Sequence, residues 1–372
     1  MLGVTFRKAP KDKNKNKNTR KKAGQEKVKG KSKPTSLDIA HLAGVSQPTV
    51  SRALRDSPLV SLETRQKVQK IARELNYKVD VNARNLRSQQ TNTLALLLFE
   101  DVGGGEAFIN PFFLSMLGSI TRASAKAGYD LLISFQQLSD DWSAEYEDAN
   151  KADGIIFLGY GDYTSYIKRI DKLDDEGAHF VTWGPVIEDQ PGHFVGCNNE
   201  QGGFLSTEHL LKLGHTKIAF LGDRSKDYPE FRDRYRGYQN AHKQHNIEIQ
   251  ESLRFNAFFS EESGYKATIE LLDSGRDFSS IVCSSDLIAI GAIKALRERG
   301  LRVPRDKAIV GFDNIPTAEH LAPALTTVKQ DTFEAGKALV DSVIKLIKGE
   351  SINSVLLPTQ LIVRDSCGST SD

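Results

Sequence analysis

Leu37-Asp38-Ile39-Ala40-His41-Leu42-Ala43-Gly44-Val45-Ser46-Gln47-Pro48-Thr49-Val50-Ser51-Arg52-Ala53-Leu54 is the most informative stretch of this 372-residue chain. Leu37, Ile39, Ala40, Ala43 and Val45 are spaced as a short helix and its turn. Thr35 and Asp38 stand three apart, as a capping box requires. Gly44 follows, suited to the positive φ that closes a helix. Ser46 offers an oxygen to cap a second helix, and Pro48 falls near its start, where a missing N–H costs least. Val50, Ala53 and Leu54 form that helix's inner stripe. Two short helices joined by Gly44-Val45-Ser46 make a helix-turn-helix. Further on, Ser61 can cap a third helix whose apolar stripe is Val68, Ile71, Ala72 and Leu75, with Arg65, Lys67, Lys70 and Arg73 on its surface. The result is a compact three-helix unit over residues 35–80.

The chain before this unit has a different composition. Residues 1–34 contain thirteen Lys/Arg against Asp12 and Glu26, and include Lys13-Asn14-Lys15-Asn16-Lys17-Asn18. Such a segment cannot bury enough apolar area to offset its ordering entropy, so a disordered basic tail is expected. Residues 35–92 are also basic, by about four charges. Because the whole chain carries only +2, residues 93–372 are left at about −13. A basic end on an acidic body suggests an anionic partner at that end. A tail that only aids solubility is the plain alternative.

The remaining composition bounds the class. No apolar run is long enough to span a bilayer, and the N-terminus lacks the apolar core of a secretory signal. Cys197, Cys283 and Cys367 are few, odd in number and without zinc spacing, which fits a reducing, cytoplasmic setting; no metal or cofactor is expected. Residues 81–92 have little to bury and suggest a linker with one short helical stretch, Asn82–Arg87. Beyond Thr93 the rhythm is strand, helix, strand. Continuous apolar runs at 94–99, 131–134, 154–158, 180–183, 218–221, 281–283 and 309–312 suit buried parallel strands. Helical segments at 112–127, 202–213, 234–244, 263–272 and 287–299 lie between them. Such alternation indicates a doubly wound α/β architecture, and residues 93–372 suffice for two such subdomains with a cleft between.

A helix of this kind reads DNA with its N-terminal residues. Gln47, Pro48, Ser51 and Arg52 are the candidates to face base edges in the major groove, where Gln can pair with adenine and Arg with guanine. Ser46 and Thr49 are better placed for phosphate oxygens, which fix register without reading sequence. A plain helical hairpin with an exposed polar face is the alternative. In the larger part, loops after strands carry Asn110-Pro111-Phe112-Phe113, Trp183, Asn198-Asn199, Arg234, Phe259, Ser284-Ser285-Asp286 and Asp313-Asn314. Hydroxyl-rich ligands need amide, carboxylate and guanidinium partners with aromatic faces, and these residues supply both. Each alone could instead be a turn former or a core ring.

As a set, several motifs resemble the LacI/GalR family of bacterial repressors from Thr35 to about Cys367. They are Asp38-Ile39-Ala40, Ala43-Gly44-Val45-Ser46, Thr49-Val50-Ser51-Arg52, Val60-Ser61, Thr64-Arg65, Val68, Leu75-Asn76-Tyr77 and Ala83-Arg84-Asn85-Leu86-Arg87. The resemblance implies an N-terminal all-α helix-turn-helix headpiece followed by a periplasmic-binding-protein-like α/β domain of two doubly wound subdomains. It also implies that Asn82, Ala83 and Leu86 belong to a hinge helix that enters the minor groove, with Leu86 as an apolar wedge. It further implies effector contacts from Arg234 in Arg234-Tyr235-Arg236-Gly237-Tyr238 and from Asp313 in Val310-Gly311-Phe312-Asp313-Asn314. Phe112, Phe259, Ser285 and Asn198 occupy further effector positions. Ser285 stands where relatives often have asparagine, and Asn198 where they often have aspartate. Pro323–Val328 looks like the family's crossover between lobes.

The expected function is therefore that of a sequence-specific transcriptional repressor, homodimeric on double-stranded operator DNA, with operator affinity set allosterically by a small molecule, expected to be a sugar. No leucine heptad follows Arg364-Asp365, so a dimer is expected in preference to a tail-built tetramer. An enzyme is disfavoured. Gly103-Gly104-Gly105 completes no phosphate-binding motif, and no nucleophile elbow is present. A transport protein would need an export signal and would lack the helix-turn-helix.

Overall fold

The computed structural model describes residues 34–77, 90–99, 109–135, 142–159 and 161–368. The basic tail and the hinge positions Asn82, Ala83 and Leu86 lie outside the described residues. The chain divides into two units at Val81–Asn82.

In the first unit, helices α1 (Ser36–Ala43), α2 (Gln47–Leu54) and α3 (Leu62–Glu74) form where the capping residues direct. Thr35 Oγ1 accepts from the Asp38 N–H, and the Asp38 carboxylate accepts from the Thr35 N–H at 2.7 Å, completing the capping box. Gly44 ends α1 at φ 68°. Ser46 and Ser61 cap α2 and α3 through the Thr49 and Thr64 N–H groups. Ile39, Val50, Ala53 and Val68 are fully buried between the helices, whereas Leu37 belongs to α1 but faces outward.

The second unit contains two six-stranded sheets. The first lobe is built from β1 (Thr93–Leu98), α4 (Pro111–Ala127), β2 (Asp130–Phe135), β3 (Gly154–Leu158), α5 (Tyr163–Asp175), β4 (Phe180–Trp183) and β5 (Phe194–Cys197). The chain then crosses into the second lobe through α6 (Asn199–Lys212), β6 (Ile218–Leu221), α7 (Pro229–Gln244), β7 (Arg254–Phe255), α8 (Glu261–Asp273), β8 (Ser280–Cys283), α9 (Asp286–Glu298), β9 (Ala308–Asp313) and β10 (Thr326–Gln330). It returns through α10 (Thr332–Ile347) and β11 (Val355–Leu357), then crosses a third time into β12 (Thr359–Ile362). Sheet order is β11-β5-β4-β3-β1-β2 in the first lobe and β12-β10-β9-β8-β6-β7 in the second. All pairings are parallel except β12 on β10. The central strands, such as β1, β3 and β9, are buried on both faces, as continuous apolar runs require, whereas edge strand β2 is largely exposed.

One expectation needs correction. Residues 326–328 are not the crossover; they pair in parallel with Val310–Phe312 inside the second sheet, and the crossing comes after Gln330, where Asp331 caps α10. The doubly wound α/β expectation holds, and β12, which enters after Pro358, is the one antiparallel strand among the described residues.

Helix packing is unusually close at two places. A Cβ on Gly203 would overlap the Arg234 carbonyl, and one on Gly237 the Glu200 carbonyl, so α6 and α7 meet backbone to backbone. Gly264 of α8 and Gly291 of α9 repeat the arrangement.

Candidate functional site

The exposed face of α2 has the properties of a nucleic-acid reader. Arg52, Pro48 and Ser46 are exposed, while Gln47, Thr49 and Ser51 are half-buried. Arg52 makes no side-chain hydrogen bond or ion pair among the described residues, so its guanidinium is available to a partner. Gln47 Nε2 donates to Ser36 Oγ at 2.8 Å, which ties the front of α2 to α1. Ser46 Oγ and Thr49 Oγ1 lie 2.8 Å apart. Arg55, which sequence reasoning passed over, reaches back one turn and donates to Ser51 Oγ at 2.8 Å. That contact was accessible from the i, i+4 spacing.

In the second unit the lobes meet near the carboxyl ends of their strands. The Tyr163 N–H at the start of α5 donates to the Asp227 carbonyl at 2.9 Å, and Thr164 Oγ1 donates to Asp227 Oδ1 at 3.1 Å. At the crossings, the Cys197 thiol at the end of β5 donates to Gln330 Oε1 at the end of β10, at 2.8 Å. Gln330 Nε2 in turn donates to Asp313 Oδ1 at 2.7 Å.

Arg234 and Asp313 are the centre of this region. Arg234 lies on α7, fully buried, with Nη1 3.5 Å from Asp313 Oδ1. Its Nε donates to Asn199 Oδ1 at 2.8 Å, and Nη1 donates to the Ser284 carbonyl. The guanidinium is sandwiched between Phe312, 3.8 Å from its ring centre, and Phe231 at 4.7 Å. Asp313 ends β9 at φ 113° and Asn314 follows at φ 55°, so the chain turns sharply there. Asp313 Oδ2 has no hydrogen-bond partner among the described residues, nor has the buried Ser284 Oγ. An unsatisfied buried carboxylate oxygen carries a free-energy cost that a ligand donor would relieve.

Burial, opposed by Arg234, pushes the Asp313 carboxyl up to about 6. Asp286 is buried beside it and is pushed well up by burial and by the Asp313 charge. It accepts from Thr327 Oγ1 at 2.6 Å and from the Ile315 N–H at 2.9 Å. Glu230, one turn before Arg234 on α7, is driven by burial to about 7. Burial likewise raises the Cys197 thiol to about 12.

The structure thus brings Arg234 and Asp313 together. Phe259 joins them indirectly, packing edge-on against Phe231 at 4.8 Å. The other three expected effector residues make other contacts within the protein. Phe112 lies in the first-lobe core, 5.2 Å from Phe113 and 5.9 Å from Trp183. Its neighbour Asn110 caps α4 through the Phe112 N–H, while its buried Nδ2 has no partner among the described residues. Asn198 caps α6 and Ser285 caps α9, so Asn199 and Ser284, one residue away in each case, meet Arg234 instead. Gln330 and Glu230 were not named from the sequence, and Asn199 and Ser284 were named only as members of polar runs; a helix capped by Asn198 leaves Asn199 in the first turn facing α7, which singles it out.

Comparison with known proteins agrees with both units. Residues 35–80 match the family described as bacterial regulatory proteins, lacI family, and residues 207–367 match a periplasmic binding protein-like domain. The chain is 32% identical over 336 residues to the HTH-type transcriptional regulator AscG of Escherichia coli (strain K12), covering 89% of this chain and 98% of that protein. Among solved structures, it resembles the Lac repressor dimer bound to operator and the anti-inducer ONPF, with a TM-score of 0.77, 26% identity, and coverage of 90% and 99%. It also resembles a CelR–cellobiose complex, with a TM-score of 0.66, 30% identity and the same coverage. Among the described residues, no helix is long and apolar enough to cross a membrane.

Proposed function

Because this chain belongs to the LacI family of bacterial transcription regulators, we propose that it is a sequence-specific repressor whose operator affinity is set by a carbohydrate bound between its lobes. Residues 35–80 form the reading headpiece, residues 81–92 the hinge, and residues 93–372 the sensing and pairing domain. Gln47, Pro48, Ser51 and Arg52 face base edges; Ser46 and Thr49 hold phosphates; Asn82, Ala83 and Leu86 work in the minor groove. The observation that carries the sensing half is the buried Arg234–Asp313 pair, whose Asp313 Oδ2 lacks a donor beside two of the chain crossings. A ligand that satisfies this oxygen binds one lobe arrangement better than another, and that difference is what shifts the population.

Pairing of two copies is supported by an exposed apolar edge. Leu132, Ile133 and Phe135 on edge strand β2 and Leu114 on α4 are all more than a third exposed, a surface that an isolated monomer would ordinarily protect. A two-fold pair would present two reading helices to half-sites about 34–36 Å apart. The solved relative is likewise a dimer bound to operator.

The reading is tested by fluorescence anisotropy on promoter fragments with and without saccharides. Arg52→Ala is expected to relax preference at one base pair per half-site, at about 1–3 kcal/mol per contact. Asp313→Asn is expected to keep DNA binding and lose the saccharide response. Equal weakening on all sequences would make Arg52 a phosphate contact, and an unchanged saccharide titration would remove Asp313 from the site.

A further inference from the structure

Glu230 is a carboxyl that the fold places between the lobes without giving it a cation of its own. It is 7% exposed on the first turn of α7, directly after the Asp227–Tyr228 segment that meets α5 of the first lobe. Tyr163 and Tyr166 on α5 and Cys197 on β5, all in the first lobe, lie within electrostatic reach of it. No hydrogen bond joins its side chain to another residue among those described. Arg234, one turn further along, is the cation on its face of the helix, and that guanidinium is already committed to Asn199, Ser284, Asp313 and two aromatic rings.

The other nearby cations do not fill the gap. Arg232 is two residues on, about 200° around the helix. Arg224 donates to Asn256 Oδ1 and lies over the Tyr235 ring. The start of α7 would by itself attract an anion. Here that turn has Pro229, which lacks an N–H, and carries its own carboxyl in Glu230. The lining thus holds the buried carboxyls of Glu230 and Asp313 against one engaged guanidinium.

We propose that Glu230 selects the effector by charge, so that the interlobe site admits a carbohydrate bearing no phosphate or carboxylate group. This rests on the reading of that site as the effector site. A neutral or amino sugar supplies hydroxyl or ammonium donors to Glu230 and to Asp313 Oδ2. An anionic sugar brings its charge against two desolvated carboxyls and finds no unengaged guanidinium on the face of α7 that carries Glu230 and Arg234.

The test uses the full chain in thermal-shift and calorimetric titrations with glucose, maltose, cellobiose, glucosamine, glucose 6-phosphate and glucuronate. At least one uncharged or amino member is expected to raise the melting temperature, and neither anionic member is. Glu230→Gln, with an unchanged circular dichroism spectrum, is expected to weaken the bound saccharide on the order of tenfold. Stabilisation of the native protein by glucose 6-phosphate or glucuronate overturns the charge selection alone, and so does an unaltered affinity in Glu230→Gln. No shift with any of the six overturns the carbohydrate reading and this proposal with it.

Discussion

Replacing Arg234 by methionine tests the electrostatics of the interlobe site most directly. The substitution keeps an unbranched apolar stem between Phe231 and Phe312 and removes the guanidinium. Asp313 then loses the cation 3.5 Å from its Oδ1, and the Asn199 and Ser284 oxygens lose their donors. Breaking a buried pair by deleting one partner costs about 3–5 kcal/mol, because the remaining charge is stranded. Asp313 already sits at about 6 with Arg234 in place, so removing the cation drives it higher still. At pH 5 Asp313 is protonated in both forms, whereas at pH 8 the native carboxylate is ionised and the variant must either strand that charge or hold a proton against the pH. The destabilisation should be full at pH 8 and clearly smaller at pH 5, where only the orphaned acceptors remain. At about 2–4 °C per kcal/mol for a body of this size, the melting temperature should fall by roughly 6–20 °C at pH 8. Thermal melts followed by circular dichroism at both pH values provide the measurement. Adding Asp313→Asn to the variant should restore more than about 1 kcal/mol at pH 8. A loss below about 1 kcal/mol, or one that is equal at pH 5 and pH 8, would refute the argument.

Glu230 gives a pH prediction of opposite sign for its own replacement. Its folded value of about 7 lies above its ordinary 4.5, so the unfolded chain releases this proton first and stability is lost between those values as pH rises. Glu230→Gln should match the native protein near pH 4.5 and exceed it by about 1–3 kcal/mol above pH 7, read by denaturant titration; a pH-independent difference would contradict this. Gly237→Ala should separate α6 from α7 and cost about 1–3 kcal/mol, since the added methyl meets the Glu200 carbonyl. Gly118→Ala, in mid-α4 with open space around it, should instead gain up to about 1 kcal/mol. Deleting residues 1–34 should leave operator preference intact while lowering non-specific affinity and flattening the salt dependence; loss of preference would assign the tail a reading role.

Much of this fold was legible because its elements announce themselves locally. Thr35, Ser46 and Ser61 cap where their side chains allow, and β3, β4 and β6 are apolar runs whose limits were read to the residue. The failures share a physical cause. Helix α6 begins three residues earlier than its apolar pattern, because Gly202 and Gly203 dilute the periodicity while permitting the close crossing with α7. Strands β5, β10, β11 and β12 escaped that reading, and their place depends on partners far away in sequence, such as Val355 on Val195. For the site, Arg234 and Asp313 were named from their motifs, but which of two adjacent polar residues points inward is settled by helix capping. Asn198 and Ser285 cap helices, and their neighbours Asn199 and Ser284 meet Arg234.

The triple crossing has a consequence for synthesis. The first lobe's sheet is closed on one edge by Val355–Leu357, and α4 is covered by α10, whose Gly336 sits against Ser119 and Ile120. That lobe therefore cannot finish assembling until residue 357 is available, although five of its six strands are made before residue 198. A ribosome adding about 5–20 residues per second leaves this half-built sheet waiting for roughly ten to thirty seconds. The three-helix headpiece needs no later residue and can fold before that interval begins. A chaperone acting on the nascent chain would meet the open edge of β5, and a truncation between residues 198 and 355 should yield a folded headpiece trailing an unfinished lobe.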